Sequence, residues 1–341
     1  MIIDANVYWL PKEFFSEDGY LEQFLSEVNT GKDVKAIVEN DDNDLHKIVI
    51  EQPIGQPSLD YFEKDYALNY MIAHLNKAKV KKAILKMPGC QEWLSLDLCK
   101  VYNRLLAKFV KNSQGRMVGL AVVPPYPTEE NLKELDYAIN ELGLKGLQLS
   151  THYGDGYLDN TVYREFFKYV DKLGIPVYIH HTPVPIEYNS IKDYENVRRA
   201  YGRCEDQIIA ISREVYSTLF DDCPNLHLIH SMLGGGYFTY KTMLLPHDSG
   251  NGRFDTSKTE AIKQHMDQNI YYEMSHAQPW GTDNLEVAIK ILGANKIIYG
   301  SSYPVKESWL INGPTMIKSL NIREKYKDKI LEDNAINAYQ L

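Results

Sequence analysis

The N-terminal segment Ile3-Asp4-Ala5-Asn6-Val7-Tyr8-Trp9 extends a short apolar run, Met1–Ile3, into alternating polar and apolar side chains. Seven further short apolar runs follow it along the chain, and runs of this length are typical of buried β-strands. They are Lys82–Leu85, Met117–Val123, Gly146–Leu149, Pro176–Ile179, Leu226–Ile229, Ile270–Tyr272 and Lys296–Tyr299.

Most of the segments between these runs repeat apolar residues with a helical period, as at Leu285, Ala288, Ile289 and Leu292. Strands that alternate with helices in this way indicate a parallel sheet. Eight such units in 341 residues predict an α/β fold of the (β/α)8 TIM-barrel class, formed by a single domain over residues 1–341.

The gap between the first and second predicted strands is unusually long. We interpret residues 10–62 as an insertion that contains a short antiparallel hairpin, because Lys47–Glu51 alternates in polarity and turn-forming residues follow it. A loop after a barrel strand lies at the C-terminal mouth, where barrel active sites are found. The insertion is therefore a lid over the site or a surface loop without a role in it, and the sequence leaves both open.

The composition excludes several classes of partner. The formal net charge is −9, so the protein as a whole would repel nucleic acid. No segment approaches the roughly eighteen apolar residues that a membrane span needs, and the N-terminus lacks a basic leader. We therefore expect a soluble cytoplasmic protein without nucleic-acid or membrane partners. The four cysteines are widely scattered, which favours free thiols.

Polar residues stand at the ends of several predicted strands. Side chains alternate in direction along a strand, so each of these residues shares a face with the residue two positions earlier. In a barrel the strand ends converge on one pocket, and polar residues there favour a functional site. The strand-end residues are Tyr8, His180, His230, Glu273 and Ser302.

Four segments carry a more specific signal: Asp4-Ala5, Pro176–His180, Leu228–Gly236 and Gly300–Pro304. In this order they resemble motifs of the amidohydrolase-related family, in the branch that includes aminocarboxymuconate semialdehyde decarboxylase. The resemblance implies a barrel enzyme, expected to form a homodimer, that decarboxylates or hydrolyses a small aromatic or unsaturated carboxylic acid. It also implies that His180 is a metal-ligand position and that His230 is the catalytic histidine.

Three positions depart from the family's pattern. The family has two histidines and an aspartate where this chain has Asn6, Tyr8 and Ser302. A catalytic zinc needs about three nitrogen, sulfur or carboxylate ligands, and the resemblance supplies only His180. We therefore expect a metal-independent site with no cofactor. The alternative is a rearranged site for zinc or another divalent metal, built from His180, His181, His230, Glu273 and His276.

Without a metal, the expected chemistry is acid–base catalysis by His230, Glu273 and His180. The pKa of an imidazole lies near working pH, so His230 could protonate a substrate carbon or activate water. A buried histidine whose hydrogen bonds are all satisfied is the alternative for His230. Glu273 could orient an imidazole or act as a base, and a buried ion pair is equally open.

A carboxylate substrate needs cationic and polar contacts. Arg203 follows the fifth predicted strand, and a guanidinium binds a carboxylate through two hydrogen bonds, although a local salt-bridge network is the alternative. Lys86 closes the second predicted strand and is a further candidate. The other predicted substrate contacts are Asn6, Tyr8, Tyr178, His276 and Ser302. A barrel that binds or senses a ligand without catalysis is the competing function.

Overall fold

The computed structural model describes residues 1–40, 46–245 and 256–341. Its strands, in chain order, are β1 Ile3–Tyr8, β2 Lys35–Asn40, β3 His46–Glu51, β4 Pro57–Phe62, β5 Lys82–Lys86, β6 Met117–Gly119, β7 Ala121–Val122, β8 Leu147–Ser150, β9 His152–Tyr153, β10 Gly156–Tyr157, β11 Pro176–His180, β12 His227–His230, β13 Ile270–Glu273 and β14 Ile297–Ile298.

The described residues also form helices, most of them between successive strands. They are α1 Leu21–Val28, α2 Leu68–Lys77, α3 Leu96–Asn112, α4 Glu129–Asn140, α5 Arg164–Leu173, α6 Arg203–Tyr216, α7 Leu219–Asp222, α8 Lys241–Leu244, α9 Thr259–Asn269, α10 Thr282–Leu292, α11 Glu307–Ser319, α12 Glu324–Asp328 and α13 Asn334–Tyr339. None of these described helices is long and apolar enough to cross a lipid bilayer.

The parallel strands occupy eight positions of a ring. β1, β5 and β6 are neighbours in that order, and so are β7, β8, β11, β12, β13 and β14. β6 and β7 are two halves of one position, because β6 pairs with β5 while β7 pairs with β8. The Ala5 amide of β1 donates to the Tyr299 carbonyl at 2.9 Å, which joins the last strand to the first. The predicted (β/α)8 fold is confirmed.

The register of the strands decides which side chains face the interior of the ring. Tyr178 of β11 pairs with Ile229 of β12, and both belong to the apolar cluster inside the barrel. The next pair, Ile179 and His230, points the other way, toward the helices. There Ile179 packs in one large cluster with Ile211 of α6. The side chain of a strand-end residue therefore reaches the mouth only if it belongs to the alternate set that faces the barrel interior.

The chain between β1 and β5 forms a small sheet of its own. β2, β3 and β4 pair antiparallel in that order, so the expected hairpin is extended by a third strand. Residues 41–45, between β2 and β3, lie outside the described residues. Two contacts hold β4 at the barrel mouth: the Tyr61 hydroxyl donates to the Pro88 carbonyl at 3.0 Å, and Arg203 Nη2 donates to the Ser58 carbonyl at 3.2 Å.

Candidate active site

A cavity of about 340 Å³ opens at the C-terminal ends of the barrel strands. Its wall combines side chains of β1, β11, the segments that follow β11 and β13, and β4 of the insertion. The polar and aromatic lining residues are Tyr8, Ser58, Asp60, Tyr61, Phe62, Asp65, Tyr66, His180, His181, Arg199, Arg203, His276 and Lys306. Of the ten residues that the sequence pointed to, Tyr8, His180, Arg203 and His276 line this cavity.

Tyr8 and His180 form a hydrogen-bonded pair on the inner wall. His180 Nδ1 lies 2.5 Å from the His181 carbonyl, which can only accept, so Nδ1 carries the proton. His180 Nε2 therefore accepts from the Tyr8 hydroxyl at 3.1 Å. Burial lowers the pKa of His180 to about 3, and the charges of Lys86 and Arg203 add to this effect. At neutral pH the ring is uncharged.

His276 presents an imidazole without a hydrogen bond to the described residues. Its backbone has φ 57°, and its amide donates to the Ser302 hydroxyl at 3.2 Å. The ring stands edge-on to His181 and Trp309, with centroid distances of 5.1 and 5.2 Å. Burial and the charge of Arg203 lower the pKa of His276 to about 3. Its ring nitrogens therefore face the cavity in the neutral form and are open to a ligand.

His181 also lines the cavity, although the alternation of side chains along a strand would turn it away from His180. β11 ends at His180, so the alternation of side chains stops there, and the two imidazoles stack with centroids 4.2 Å apart. Burial and the neighbouring His180 hold the pKa of His181 well below its usual range. Strand alternation fails as a guide at the residue where the strand ends.

Arg203 is the buried cation of the cavity. The side chain begins α6 and is only 8% exposed. Its Nη2 donates to the Ser58 carbonyl at 3.2 Å and to the Ser58 hydroxyl at 3.4 Å, while Nε has no partner among the described residues. Burial lowers its pKa to about 10, so the guanidinium stays charged at neutral pH. The predicted salt-bridge alternative for Arg203 has no carboxylate partner in the described part of the chain.

A layer of buried polar side chains lies beneath the cavity. Asn6 Nδ2 donates to Glu273 Oε2 at 2.8 Å and to the Tyr178 hydroxyl at 2.6 Å, and Tyr178 donates to Glu273 at 3.1 Å. The Lys86 amine lies 3.1 Å from the centroid of the Tyr178 ring and has no hydrogen-bond partner among the described residues. Asn6, Tyr178, Lys86 and Glu273 therefore form the floor of the site.

Four of the predicted substrate contacts, Asn6, Lys86, Tyr178 and Ser302, are not among the residues that line this cavity. Lys86 is fully buried below the cavity because its side chain turns inward under Tyr178. Ser302 is equally buried, with φ 62°, and its hydroxyl accepts the His276 amide. Asn6 and Tyr178 are held in the floor by Glu273.

The expectation that the His230 side chain shares the pocket with His180 is wrong. β12 pairs His230 with Ile179, so its ring points outward against α6. Its Nδ1 lies 2.9 Å from Gln207 Oε1, and its Nε2 lies 2.8 Å from Glu214 Oε2. His230 is completely buried there. His230 is therefore a buried histidine outside the cavity, hydrogen-bonded to Gln207 and within ion-pair distance of Glu214.

A model of the Amidohydrolase family matches residues 91–341, which is more than half of the chain. The chain belongs to this family. The 2-amino-3-carboxymuconate-6-semialdehyde decarboxylase of Dictyostelium discoideum is 25% identical over 71% of this chain, and the match spans 66% of that protein. The described insertion strands lie before residue 91, outside the part that the family model matches.

Solved structures agree with the fold over the whole chain. The 5-carboxyvanillate decarboxylase from Sphingomonas paucimobilis superposes with a TM-score of 0.77 and 17% identity, covering 100% of this chain and 99% of that one. A dihydroxybenzoic acid decarboxylase from Polaromonas sp., solved with manganese and the inhibitor 2-nitroresorcinol, gives a TM-score of 0.72 at 19% identity, covering 100% and 97%.

The expectation of a site without a cofactor is contradicted by such relatives, because the Polaromonas enzyme was solved with bound manganese. In residues 1–40, 46–245 and 256–341 of this chain, however, no group of three or more His, Cys, Asp or Glu side chains is arranged to hold a metal ion. The amide of Asn6 and the hydroxyl of Tyr8 are bonded to Glu273 and His180. Among the described residues, the side chains at this site do not fit a three-ligand metal centre.

Proposed function

We propose that this chain decarboxylates a small aromatic carboxylic acid bound in the mouth cavity. The observation that carries the proposal is Arg203, a buried guanidinium that lines the cavity and has no carboxylate partner in the described residues. A buried charge is costly unless it is paired, so the site is built to receive an anion. Decarboxylation is supported by the curated relatives, which include a 2-amino-3-carboxymuconate-6-semialdehyde decarboxylase and a gamma-resorcylate decarboxylase.

The size and lining of the cavity support a single ring as the substrate. About 340 Å³ lies at the lower end of the range for small-molecule sites. Tyr8, Tyr61 and the imidazoles of His180, His181 and His276 give flat or polarisable walls against which a ring can lie. Neutral imidazoles can also exchange hydrogen bonds with hydroxyl groups on such a ring.

Decarboxylation requires one proton. When the bond to the carboxylate carbon breaks, CO₂ leaves and the electron pair stays on the ring carbon, which then takes up a proton. We assign that transfer to His276, the imidazole with open ring nitrogens. A bound carboxylate beside it favours the imidazolium form and so raises its pKa from the resting value of about 3. The proton comes from solvent and is delivered to the ring carbon.

The other residues take supporting roles in this proposal. Tyr8 holds His180 in one tautomer through their hydrogen bond. Glu273 positions Asn6 and Tyr178, which shape the floor. Residues 10–62 act as a lid, because β4 forms the outer wall of the cavity and is tied to the barrel through Tyr61.

The test measures product from a panel of aromatic acids that includes dihydroxybenzoates and 5-carboxyvanillate, with and without added manganese. Arg203→Met should lower kcat/KM by about 30-fold or more, because a charged contact of this kind is worth roughly 2–5 kcal/mol. Arg213→Met is the matched control, since Arg213 lies on the same helix α6 and pairs with Asp159 away from the cavity.

Three outcomes separate the alternatives. Arg203-dependent release of CO₂ supports the proposal. Arg203-dependent binding without any product favours the ligand-binding barrel, and hydrolysis of an ester or lactone in place of decarboxylation favours the hydrolase. If no aromatic acid binds, or if Arg203→Met behaves like Arg213→Met, the assignment of the cavity is wrong.

A further inference from the structure

Ser58 is a cavity residue that belongs to the insertion. It lies near the start of β4, is 3% exposed, and borders the cavity beside Arg203. It also lies outside residues 91–341, the part of the chain that the family model matches. A contact made by Ser58 would therefore be a property of this chain's insertion rather than of the matched barrel.

The hydroxyl of Ser58 has a hydrogen that its described neighbours do not accept. The hydroxyl oxygen accepts from Arg203 Nη2 at 3.4 Å. A guanidinium carries only donors, so Arg203 cannot accept the hydroxyl hydrogen in return. No other described group forms a hydrogen bond with this hydroxyl, which leaves its hydrogen available to the cavity.

Ser58 contacts Arg203 at Nη2, on one side of the guanidinium. Nε and Nη2 are neighbours along one side of the planar group, the side that binds a carboxylate through two hydrogen bonds. Nη2 is the atom that contacts Ser58, and Nε is the atom without a partner. The Ser58 hydroxyl therefore lies beside the guanidinium that a carboxylate in the cavity would meet.

Two tyrosine hydroxyls of the wall are already engaged. The Tyr61 hydroxyl donates to the Pro88 carbonyl at 3.0 Å. The Tyr8 hydroxyl donates to His180 Nε2 at 3.1 Å. Neither is free to donate to a ligand without breaking its present bond, whereas Ser58 is.

We infer that Ser58 of the insertion and Arg203 of the barrel together bind the carboxylate of the substrate, with Ser58 as a specificity-determining residue. This rests on the proposed function, because it assumes an acid in the cavity. A hydrogen bond to a charged group is worth roughly 1.5–3 kcal/mol, so loss of the hydroxyl should weaken binding of an acid about tenfold or more. The affinity for a ligand without the carboxylate should not change.

The experiment compares binding of benzoate and of phenol to the full chain by calorimetry at pH 7. Ser58→Ala removes only the hydroxyl and keeps the carbonyl that Arg203 Nη2 contacts, so the position of β4 is preserved. Ser26→Ala, at an exposed position of α1 in the same insertion, is the control for a serine hydroxyl away from the cavity. Ser58→Thr, which retains a hydroxyl, tests rescue.

We expect Ser58→Ala to weaken the affinity for benzoate about tenfold or more and to change the affinity for phenol by less than twofold. Ser58→Thr should restore part of the lost affinity for benzoate. Benzoate binding that is lost in Arg203→Met but unchanged in Ser58→Ala would overturn the inference while sparing the proposed function. Equal losses for benzoate and phenol would also overturn it, since the hydroxyl would then only shape the wall. If the unaltered chain does not bind benzoate, both the inference about Ser58 and the proposed function are wrong. If the chain binds aromatic acids but releases no product from them, only the proposed decarboxylation is wrong.

Discussion

Replacing Lys86 by Met should stabilise the protein, and the gain should depend on pH. Lys86 is fully buried, its amine has no hydrogen-bond partner in the described residues, and burial lowers its pKa from 10.5 to about 7. At about 1.4 kcal/mol for each pKa unit, the charged amine costs the folded state up to about 5 kcal/mol. Methionine fills a similar volume without a charge.

The sign of the pH dependence follows from the direction of the shift. Between pH 7 and 10.5 the unfolded chain keeps the proton on Lys86 while the folded chain releases it, so the free energy of unfolding rises with pH. Below pH 7 the amine is charged in both states and the full cost applies. Between pH 6.5 and 9.5 the cost falls by about 3 kcal/mol, and Lys86→Met lacks this change.

The assay is urea denaturation of both proteins at pH 6.5 and 9.5. At pH 6.5 the free energy of unfolding of Lys86→Met should exceed that of the unaltered chain by several kcal/mol. At pH 9.5 this advantage should be smaller by about 3 kcal/mol. Lys133→Met, at an exposed position on α4, should differ little at either pH. If Lys86→Met is less stable at both values, or if its advantage is the same at both, the reasoning about the buried amine is wrong.

Three further predictions concern other parts of the barrel. His230→Asn should lower the free energy of unfolding by about 3–5 kcal/mol, because it leaves Glu214 buried without its partner, yet benzoate affinity should stay within twofold; a large loss of affinity would return His230 to the site. His276→Asn should lower turnover by about 10²- to 10⁴-fold with little change in melting temperature, and activity within tenfold of normal would remove it as the proton donor. Gly300→Ala should unfold or severely destabilise the chain, because its Cβ would lie 1.7 Å from Glu273 Oε1; a folded variant of unchanged melting temperature would contradict this packing.

The sequence was sufficient for the fold because its evidence is repeated eight times. Each strand-helix unit carries its own periodicity, and the segments at Asp4-Ala5 and Gly300–Pro304 agree with a ring that closes on itself. The same patterns placed His180 and Glu273 inside the barrel. Both residues share the inward face of their strands with Tyr178 and Tyr271, as strand alternation requires.

The sequence failed where the answer depends on register or on distant pairing. His230 and His180 both end a strand, but the pairing of His230 with Ile179 turns its side chain outward, and that pairing is set by neighbouring strands. The contributions of Ser58 and Tyr61 were not predicted, because only the antiparallel sheet of the insertion carries β4 to the mouth. The expectation of a site without a cofactor was inferred from three exchanged positions, Asn6, Tyr8 and Ser302, and relatives solved with bound manganese contradict it.

The most direct test of the proposed function follows the carboxyl carbon itself. A dihydroxybenzoate labelled with ¹³C in its carboxyl group is incubated with the full chain and, in parallel, with Arg203→Met and with Arg213→Met, each with and without manganese. We predict that the label appears as CO₂ and bicarbonate with the unaltered chain and with Arg213→Met, and that Arg203→Met slows its release by about 30-fold or more. A carboxylate that binds at the mouth and keeps its label throughout the panel of acids would contradict the assignment of this barrel as a decarboxylase.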